Sequence, residues 1–180
     1  MRAVMAFSGG MDSTGLLVHL LARGYKVSTL SYDYGQKHVI ELERAKANIE
    51  YLAANGFDVE HRIVDLKSAM SIFHSALTNS EIEIPEGHYE EEQMKATVVP
   101  NRNAIFASIL YGYALSISTK EDIDVNIALG VHSGDHAIYP DCRPEFYDSI
   151  GESFALGNWD SERVSFNLPY IDGDKVTILR

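Results

Sequence analysis

The stretch FSGGMDS, residues 7–13, decides the fold. It follows the apolar segment RAVMAF (2–7), which predicts a buried strand, and it leads into STGLLVHLLAR (13–23), whose apolar spacing predicts a helix that ends before Gly24. A glycine-rich turn between a strand and a helix forms an anion site, because the free amides of the first helical turn and the helix dipole favour negative charge there. The stretch therefore predicts an α/β fold with a phosphate site.

The residues within this turn suit a nucleotide phosphate. Gly9 and Gly10 let the backbone approach a phosphate closely. Asp12 would repel phosphate unless it binds a divalent cation or caps the helix. The turn also contains three hydroxyl donors, Ser8, Ser13 and Thr14. A simple helix cap explains the same residues, and the turn is neither a Walker loop nor a G-x-G-x-x-G motif, so both interpretations stay open.

The next segments continue the alternation of strands and helices. YKVSTLSYDY (25–34) and FDVEHRIVDL (57–66) predict strands, and the amphipathic segment 38–56 between them predicts a long helix. A β-α-β-α-β order with short links predicts a parallel sheet covered by helices on both faces. The acidic, weakly periodic segment 71–97 is interpreted as a mobile excursion or a solvated loop.

The second half completes a single domain over residues 1–180. The mostly apolar segment 99–118 predicts a buried helix opened by Pro100, and 124–131 predicts a fourth strand. Another helix is expected at about Pro144, followed by a short strand and the start of a helix. We therefore expect an α/β fold with a parallel five-stranded sheet flanked by helices.

Composition narrows the classes of function. The net charge is −11, which argues against a direct nucleic-acid partner, although backbone amides and a divalent cation can still hold an anionic nucleotide. No apolar run approaches the roughly 20 residues that cross a bilayer, and the N-terminus suits a strand better than a signal peptide. Cys142 is the one cysteine, which excludes a multi-cysteine zinc site within this sequence. We expect a cytoplasmic protein without a membrane partner.

Two further motifs carry cationic side chains. DYGQKHVIELERA (33–45) places Lys37 after the second predicted strand, at the edge where α/β proteins bind ligands. VVPNRNAIFASI (98–109) places Arg102 between two asparagines, and arginine is a good partner for phosphate or carboxylate. Solvation of Lys37 and helix capping by the asparagines are the alternatives.

A dense polar cluster follows the fourth predicted strand, within the segment 128–146. Its members are His132, Asp135, His136, Asp141, Cys142 and Arg143. Metal binding by the histidines and Asp135 is one interpretation, but no helix is expected there to align them. A substrate-recognition loop is favoured, because carboxylates suit the N–H edge of a guanine-like base and Arg143 suits a carboxylate or phosphate.

These motifs resemble those of a known family. S-G-G-x-D-S after the first strand resembles the signature of the N-type ATP pyrophosphatases. FSGGMDS, YGQKH, VPNRNAIFASI and GVHSGDHAIYPDCRPEF, in this order, closely resemble the 7-cyano-7-deazaguanine synthases. The resemblance implies an adenine nucleotide alpha hydrolase-like, Rossmann-like fold. It also implies the ATP-dependent conversion of 7-carboxy-7-deazaguanine and ammonia to the nitrile, through adenylated carboxylate and amide, for queuosine, archaeosine or modified guanine.

The resemblance also implies roles for residues. ATP would be held by the loop residues Phe7, Ser8, Gly9, Gly10, Met11, Asp12, Ser13 and Thr14. Asp12, Lys37 and Arg102 would be catalytic, with Asp12 also binding Mg²⁺. The deazaguanine would be bound by Asn101, His132, Ser133, Asp135, Tyr139, Asp141 and Arg143. The family pattern further implies a homodimer.

The sequence departs from the family at its end. Family members continue into a four-cysteine cluster that holds zinc, whereas this sequence stops at Arg180, so we expect no zinc site in it. Three alternatives therefore stay open: another adenylating enzyme of the superfamily, an enzyme that attaches a deazapurine to a protein, and a non-catalytic ATP-binding module. Release of AMP and pyrophosphate would exclude the last.

Overall fold

The structure is a computed structural model, and it describes residues 1–36, 40–73, 98–132, 134, 139–174 and 178. The strands are β1 Arg2–Ala6, β2 Lys26–Asp33, β3 Glu60–Asp65, β4 Val125–Ala128 and β5 Val164–Asn167. The helices of the described residues are α1 Met11–Ala22, α2 Ile40–Ala54, α3 Lys67–Met70, α4 Arg102–Glu121 and α5 Pro144–Gly157. Short 3₁₀ turns lie at Pro140–Cys142 and Ser161–Arg163.

The sheet has five strands in the order β3-β2-β1-β4-β5, and every neighbouring pair is parallel. This confirms the predicted parallel five-stranded sheet. In the register of the central strand, Val4 lies opposite Ser28 on one side and Ile127 on the other. The chain runs outward from β1 to β2 and β3, and later adds β4 on the opposite side of β1. The strand order thus reverses between β1 and β4, which is where open α/β sheets bind ligands.

The core has two apolar clusters, one on each face of the sheet. Alternate residues of β1 point to opposite faces, so Met5 joins one cluster and Val4 the other. The first cluster packs against α1 and α2 through residues such as Leu16 and Ala45. The second packs against α4 through residues such as Leu110. Helices on both faces and burial of the helix predicted over 99–118 are thus confirmed.

Element ends differ from the predictions by a few residues, and one difference has a clear cause. The helix predicted to open at Pro100 begins at Arg102. Asn101 precedes it in the left-handed conformation, with φ of 58°, and its side chain makes no capping hydrogen bond. The capping interpretation of Asn101 is therefore wrong.

Some predictions lie outside the described residues. Of the predicted excursion 71–97, only 71–73 are described, and they form a turn after α3. The helix start expected near the end of the sequence is described only at Ile178, which is buried. No helix in the described part of the chain is long and apolar enough to cross a membrane.

Candidate active site

A cavity of about 360 Å³ lies where the strand order reverses, at the carboxyl ends of β1, β2 and β4. Residues from α2, α4 and α5 complete its walls. Its lining consists of Ala6, Phe7, Ser8, Asp12, Ser13, Ser31, Tyr32, Tyr34, Gln36, Glu41, Leu42, Arg102, Asn103, Phe106, Ala107, Leu129, Gly130, Val131 and Tyr147. The phosphate loop predicted from the sequence forms one side of this cavity.

The loop needs glycine at position 9 for a reason that the sequence does not reveal. Gly9 has a φ of +74°, which residues with a side chain rarely adopt. A Cβ atom at Gly9 would lie 2.4 Å from the backbone nitrogen of Ala45 in α2. The loop is therefore held in direct contact with the backbone of α2.

Hydrogen bonds within the loop leave the start of α1 open to an anion. Gly10 is the N-cap residue, and no side chain caps the helix there. The Gly10 N–H donates to Ser8 Oγ at 3.3 Å, and Ser13 Oγ donates to the Gly10 carbonyl at 3.2 Å. No described side chain therefore caps the amides of the first turn of α1, which is compatible with an anion site and speaks against the helix-cap interpretation.

Asp12 supplies the carboxylate of the site. Its Oδ1 atom is buried and has no hydrogen-bond partner among the described residues. Gly130, which follows β4, lies against the backbone of Asp12, because a Cβ atom at Gly130 would be 3.3 Å from the Asp12 carbonyl oxygen. A buried carboxylate oxygen without a protein donor suits a divalent cation. The described residues contain no cluster of three or more metal-binding side chains.

His132 lies behind Asp12 and does not line the cavity. It is 1% exposed, and its Nε2 atom is 3.7 Å from Asp12 Oδ2. The Gly134 N–H donates to His132 Nδ1 at 3.1 Å. In the neutral ring the proton is therefore on Nε2, which faces the carboxylate. His132 thus lies next to Asp12 and not on the cavity wall, where a bound base would have to contact it.

An aromatic wall faces the loop across the cavity. The Tyr32 and Phe106 rings stack with their centroids 3.9 Å apart, and Tyr34 tilts against Phe106 at 5.6 Å. Tyr32 donates its hydroxyl to the Phe106 carbonyl at 3.0 Å. Burial raises the pKa of Tyr32, and burial together with the nearby Cys142 thiol raises the pKa of Tyr147. Both hydroxyls therefore stay protonated and neutral near pH 7.

The structure brings some of the predicted site residues together and not others. Of the predicted ATP-binding residues, Phe7, Ser8, Asp12 and Ser13 line the cavity; Gly9, Gly10, Met11 and Thr14 belong to the loop and helix start but not to the lining. Arg102 lines it, and its Nε donates to Asn103 Oδ1 at 3.3 Å.

Most of the predicted base-binding residues lie away from the lining or outside the described part of the chain. Asn101 and Arg143 are exposed, Tyr139 and Asp141 are half-buried, and none of these lines the cavity. The residues singled out from the sequence that fall outside the described ranges are Lys37, Ser133, Asp135 and His136.

Gln36 and Glu41 are among the polar residues of the cavity that the sequence patterns did not identify. Buried Gln36 accepts from the Tyr34 N–H at 2.9 Å and donates to the Tyr32 carbonyl at 3.0 Å, so it fixes the turn after β2. Glu41, in the first turn of α2, brings a second carboxylate to the cavity. Both lie within the motif 33–45, whose position after a strand was the available signal.

Comparison with solved structures shows the same fold in other proteins. A predicted subunit of a tRNA methyltransferase from Methanocaldococcus jannaschii has a TM-score of 0.58 at 17% identity, with 99% of this chain and 72% of that chain covered. A 4-thiouridine synthetase in an RNA complex with bound ATP has a TM-score of 0.58 at 17% identity, with 99% and 39% covered. At these identities the likeness concerns the fold.

Comparison of sequences gives the family. A 7-cyano-7-deazaguanine synthase from Hahella chejuensis is 45% identical over 179 residues, which cover 99% of this chain and 72% of that protein. The enzyme of the same name from Caldicellulosiruptor saccharolyticus is 45% identical over 180 residues, covering 100% and 75%. The sequence model of the family described as queuosine biosynthesis protein QueC matches residues 2–180. These matches extend over nearly the whole sequence, so the chain belongs to the QueC family of queuosine biosynthesis proteins.

Proposed function

We propose that this protein converts 7-carboxy-7-deazaguanine and ammonia to 7-cyano-7-deazaguanine with the use of ATP. The observation that carries the proposal is the position of Asp12, with its buried free carboxylate oxygen, beside the uncapped start of α1 in the same cavity. Relatives that share 41–45% of their residues with this chain bear the name of that synthase. No contact among the described residues favours a protein-conjugating enzyme or a pure binding module over this reaction.

The loop is proposed to bind the pyrophosphate of ATP. The amides at the start of α1 would meet the phosphate oxygens, with the Ser8 and Ser13 hydroxyls beside them. Asp12 Oδ1 fits a Mg²⁺ ion, which when bound would neutralise charge on the phosphates and their leaving group. Because the loop residues 7–14 include no Lys or Arg, the counter-charge within the loop would come from backbone amides and the cation.

The reaction needs two activations of the same carbon. The substrate carboxylate attacks the α-phosphorus of ATP and displaces pyrophosphate, which gives an acyl adenylate. Ammonia attacks the acyl carbon, loses a proton, and displaces AMP to give the amide. The amide oxygen then attacks the α-phosphorus of a second ATP and displaces pyrophosphate, and loss of AMP with the remaining N–H protons leaves the nitrile. Each step depends on positioning and on stabilisation of a phosphate leaving group.

The residues of this chain are proposed to share that work as follows. Arg102, which lines the cavity, would oppose the charge of the phosphates or of the substrate carboxylate, and Lys37 is proposed for the same task. The wall of Tyr32 and Phe106 would exclude water from the adenylate and offer an apolar boundary to a planar base. The remaining candidates for the deazaguanine pocket are Asn101, Ser133, Asp135, Tyr139, Asp141 and Arg143.

Two finer points belong to the same proposal: the protein acts in the cytoplasm, and it acts as a homodimer. At the end of α5, Leu156 is 83% exposed and Trp159 is 92% exposed, so apolar side chains are available for a subunit contact. Light scattering of the purified protein tests this point. A twofold mass is expected, and the monomer mass at micromolar concentration would contradict it.

A test of the reaction class follows from its stoichiometry. AMP and pyrophosphate release should require 7-carboxy-7-deazaguanine, and two AMP should form for each nitrile. AMP release that does not depend on this substrate would favour another adenylating enzyme. ATP binding without any AMP release would favour a binding module.

A further inference from the structure

Helix α2 holds the phosphate loop through Asn48, a residue that neither the motif nor the cavity identifies. The Asn48 Nδ2 atom lies 3.3 Å from the Gly9 carbonyl oxygen and 3.1 Å from Thr14 Oγ1. An amide nitrogen carries two protons, so it can donate both hydrogen bonds at once. Asn48 is three residues beyond Ala45, whose backbone lies against Gly9, so both residues are on the same face of α2.

The contact between Asn48 and Gly9 sets the direction in which the Gly9–Gly10 peptide faces. No cis peptide bond occurs in the described part of the chain, and in a planar trans peptide the C=O and N–H groups point in opposite directions. With the Gly9 oxygen held toward α2, the Gly10 N–H points away from α2 and donates to Ser8 Oγ at 3.3 Å. Ser8 lines the cavity, so this amide faces the side on which phosphate would bind.

The same contact removes a repulsive group from that side. A carbonyl oxygen turned toward a phosphate would oppose its binding, and the bond to Asn48 holds the Gly9 oxygen away from the cavity. The second bond ties the first turn of α1 to α2. Because the amide nitrogen can only donate, Thr14 Oγ1 accepts this bond and keeps its own proton for donation.

We propose that Asn48 is a positioning residue for ATP, which orients the Gly10 amide and the first turn of α1 toward the pyrophosphate without touching the nucleotide. The inference rests on the proposed function in one respect, namely that this loop binds the phosphates of ATP. It predicts an effect on ligands that carry a pyrophosphate group and little effect on the nucleoside part.

The test compares a variant within α2 with a variant of the residue that follows α2. Asn48→Leu keeps the approximate volume and removes both donors. Asn55→Leu is the matched control, because Asn55 is exposed at the end of α2 and its Nδ2 atom donates only to the Tyr51 carbonyl in the described residues. Calorimetry on the full chain measures the Kd of Mg-ATP and of AMP, and thermal unfolding measures Tm. If Asn48→Leu does not fold, Asn48→Ser, which retains a single donor, takes its place.

The expected result is a rise of about tenfold in the Kd of Mg-ATP for Asn48→Leu, the loss expected when two neutral hydrogen bonds are removed, with a change below about twofold for AMP. The control should match the wild type for both ligands. Unchanged Mg-ATP binding by Asn48→Leu, or equal weakening of Mg-ATP and AMP, would overturn this inference alone. A wild-type chain that does not bind Mg-ATP would overturn the proposed function as well.

Discussion

His132 lies directly behind Asp12, with its Nε2 atom 3.7 Å from the Oδ2 atom of the carboxylate. The histidine is buried, and the Gly134 N–H fixes the opposite side of its ring. One carboxylate oxygen therefore faces an N–H group, while Oδ1 has no donor among the described residues. In the proposed function, Oδ1 would bind the cation while Oδ2 faces the histidine.

Replacement of Asp12 should abolish turnover without loss of the fold. Asp12→Asn keeps the shape and removes the charge that would hold Mg²⁺, so we expect AMP release to fall by about 100-fold or more. The control Asp58→Asn changes an exposed carboxylate between α2 and β3 and should leave the rate unchanged. A folded Asp12→Asn protein with the wild-type rate would rule out the role assigned to this carboxylate.

The effect of replacing His132 should depend on whether the new side chain can donate a hydrogen bond to Asp12. His132→Gln can still present an N–H to Asp12, whereas His132→Leu fills the space without a donor. We expect the leucine variant to need about tenfold more Mg²⁺ than the wild type for half-maximal AMP release. The glutamine variant should need a Mg²⁺ concentration close to that of the wild type. Magnesium titrations of both variants measure this. Equal Mg²⁺ requirements for the two would show that the histidine acts only by filling space.

Two glycine substitutions should change stability in opposite directions. Gly9→Ala places a Cβ atom 2.4 Å from Ala45 nitrogen at a φ of +74°, so we expect the free energy of unfolding to fall by about 2–4 kcal/mol. Gly112 lies within α4, where an added Cβ atom would meet no atom within 4 Å apart from the neighbouring residues and backbone of its own helix. Gly112→Ala should therefore raise the free energy of unfolding by about 0.5–1 kcal/mol. Urea unfolding measures both values. Similar stability of the two variants would contradict the close contact between the loop and α2.

The amino-terminal edge of the sheet should be sensitive to acid through Glu60. Its Oε2 atom accepts from Ser28 at 2.7 Å and its Oε1 atom from Arg62 at 2.6 Å, and these bonds lower the pKa of the carboxyl from 4.5 to about 2. A lowered pKa in the folded state stabilises the protein above pH 4.5, and this contribution is lost as the pH falls from 4.5 toward 2.

The check compares wild type with Glu60→Gln by urea unfolding across that range. The wild type should be more stable near pH 6, and the difference should shrink by pH 3. The effect is expected to be modest, because the Glu60 side chain is 40% exposed. A difference that stays constant with pH would mean that the ionised carboxylate does not contribute.

The architecture could be predicted from local patterns in the sequence. Strand, glycine turn and helix follow one another at 2–23, and the later strands and helices repeat that alternation. Parallel strands require crossover connections, so the alternation limits the topology to few choices. The glycine turn between β1 and α1 could be predicted because all of its parts are adjacent in the sequence.

The rest of the site could not be predicted, because it depends on contacts between distant segments. Asn48 meets Gly9 over 39 residues of sequence, and Tyr32 stacks on Phe106 over a longer span. Neither contact has a periodic signal, since each side chain also fits the ordinary pattern of its own helix or strand. Asn101 does not act as a cap because its backbone is left-handed, which composition does not specify.

The most direct test of the central claim follows the nitrogen atom. The purified chain is incubated with Mg-ATP, 7-carboxy-7-deazaguanine and ¹⁵N-labelled ammonium, and the products are analysed by mass spectrometry. The proposed reaction yields 7-cyano-7-deazaguanine that carries the heavy nitrogen in its nitrile group, together with AMP. Protein that binds Mg-ATP and substrate but forms no labelled nitrile would contradict it.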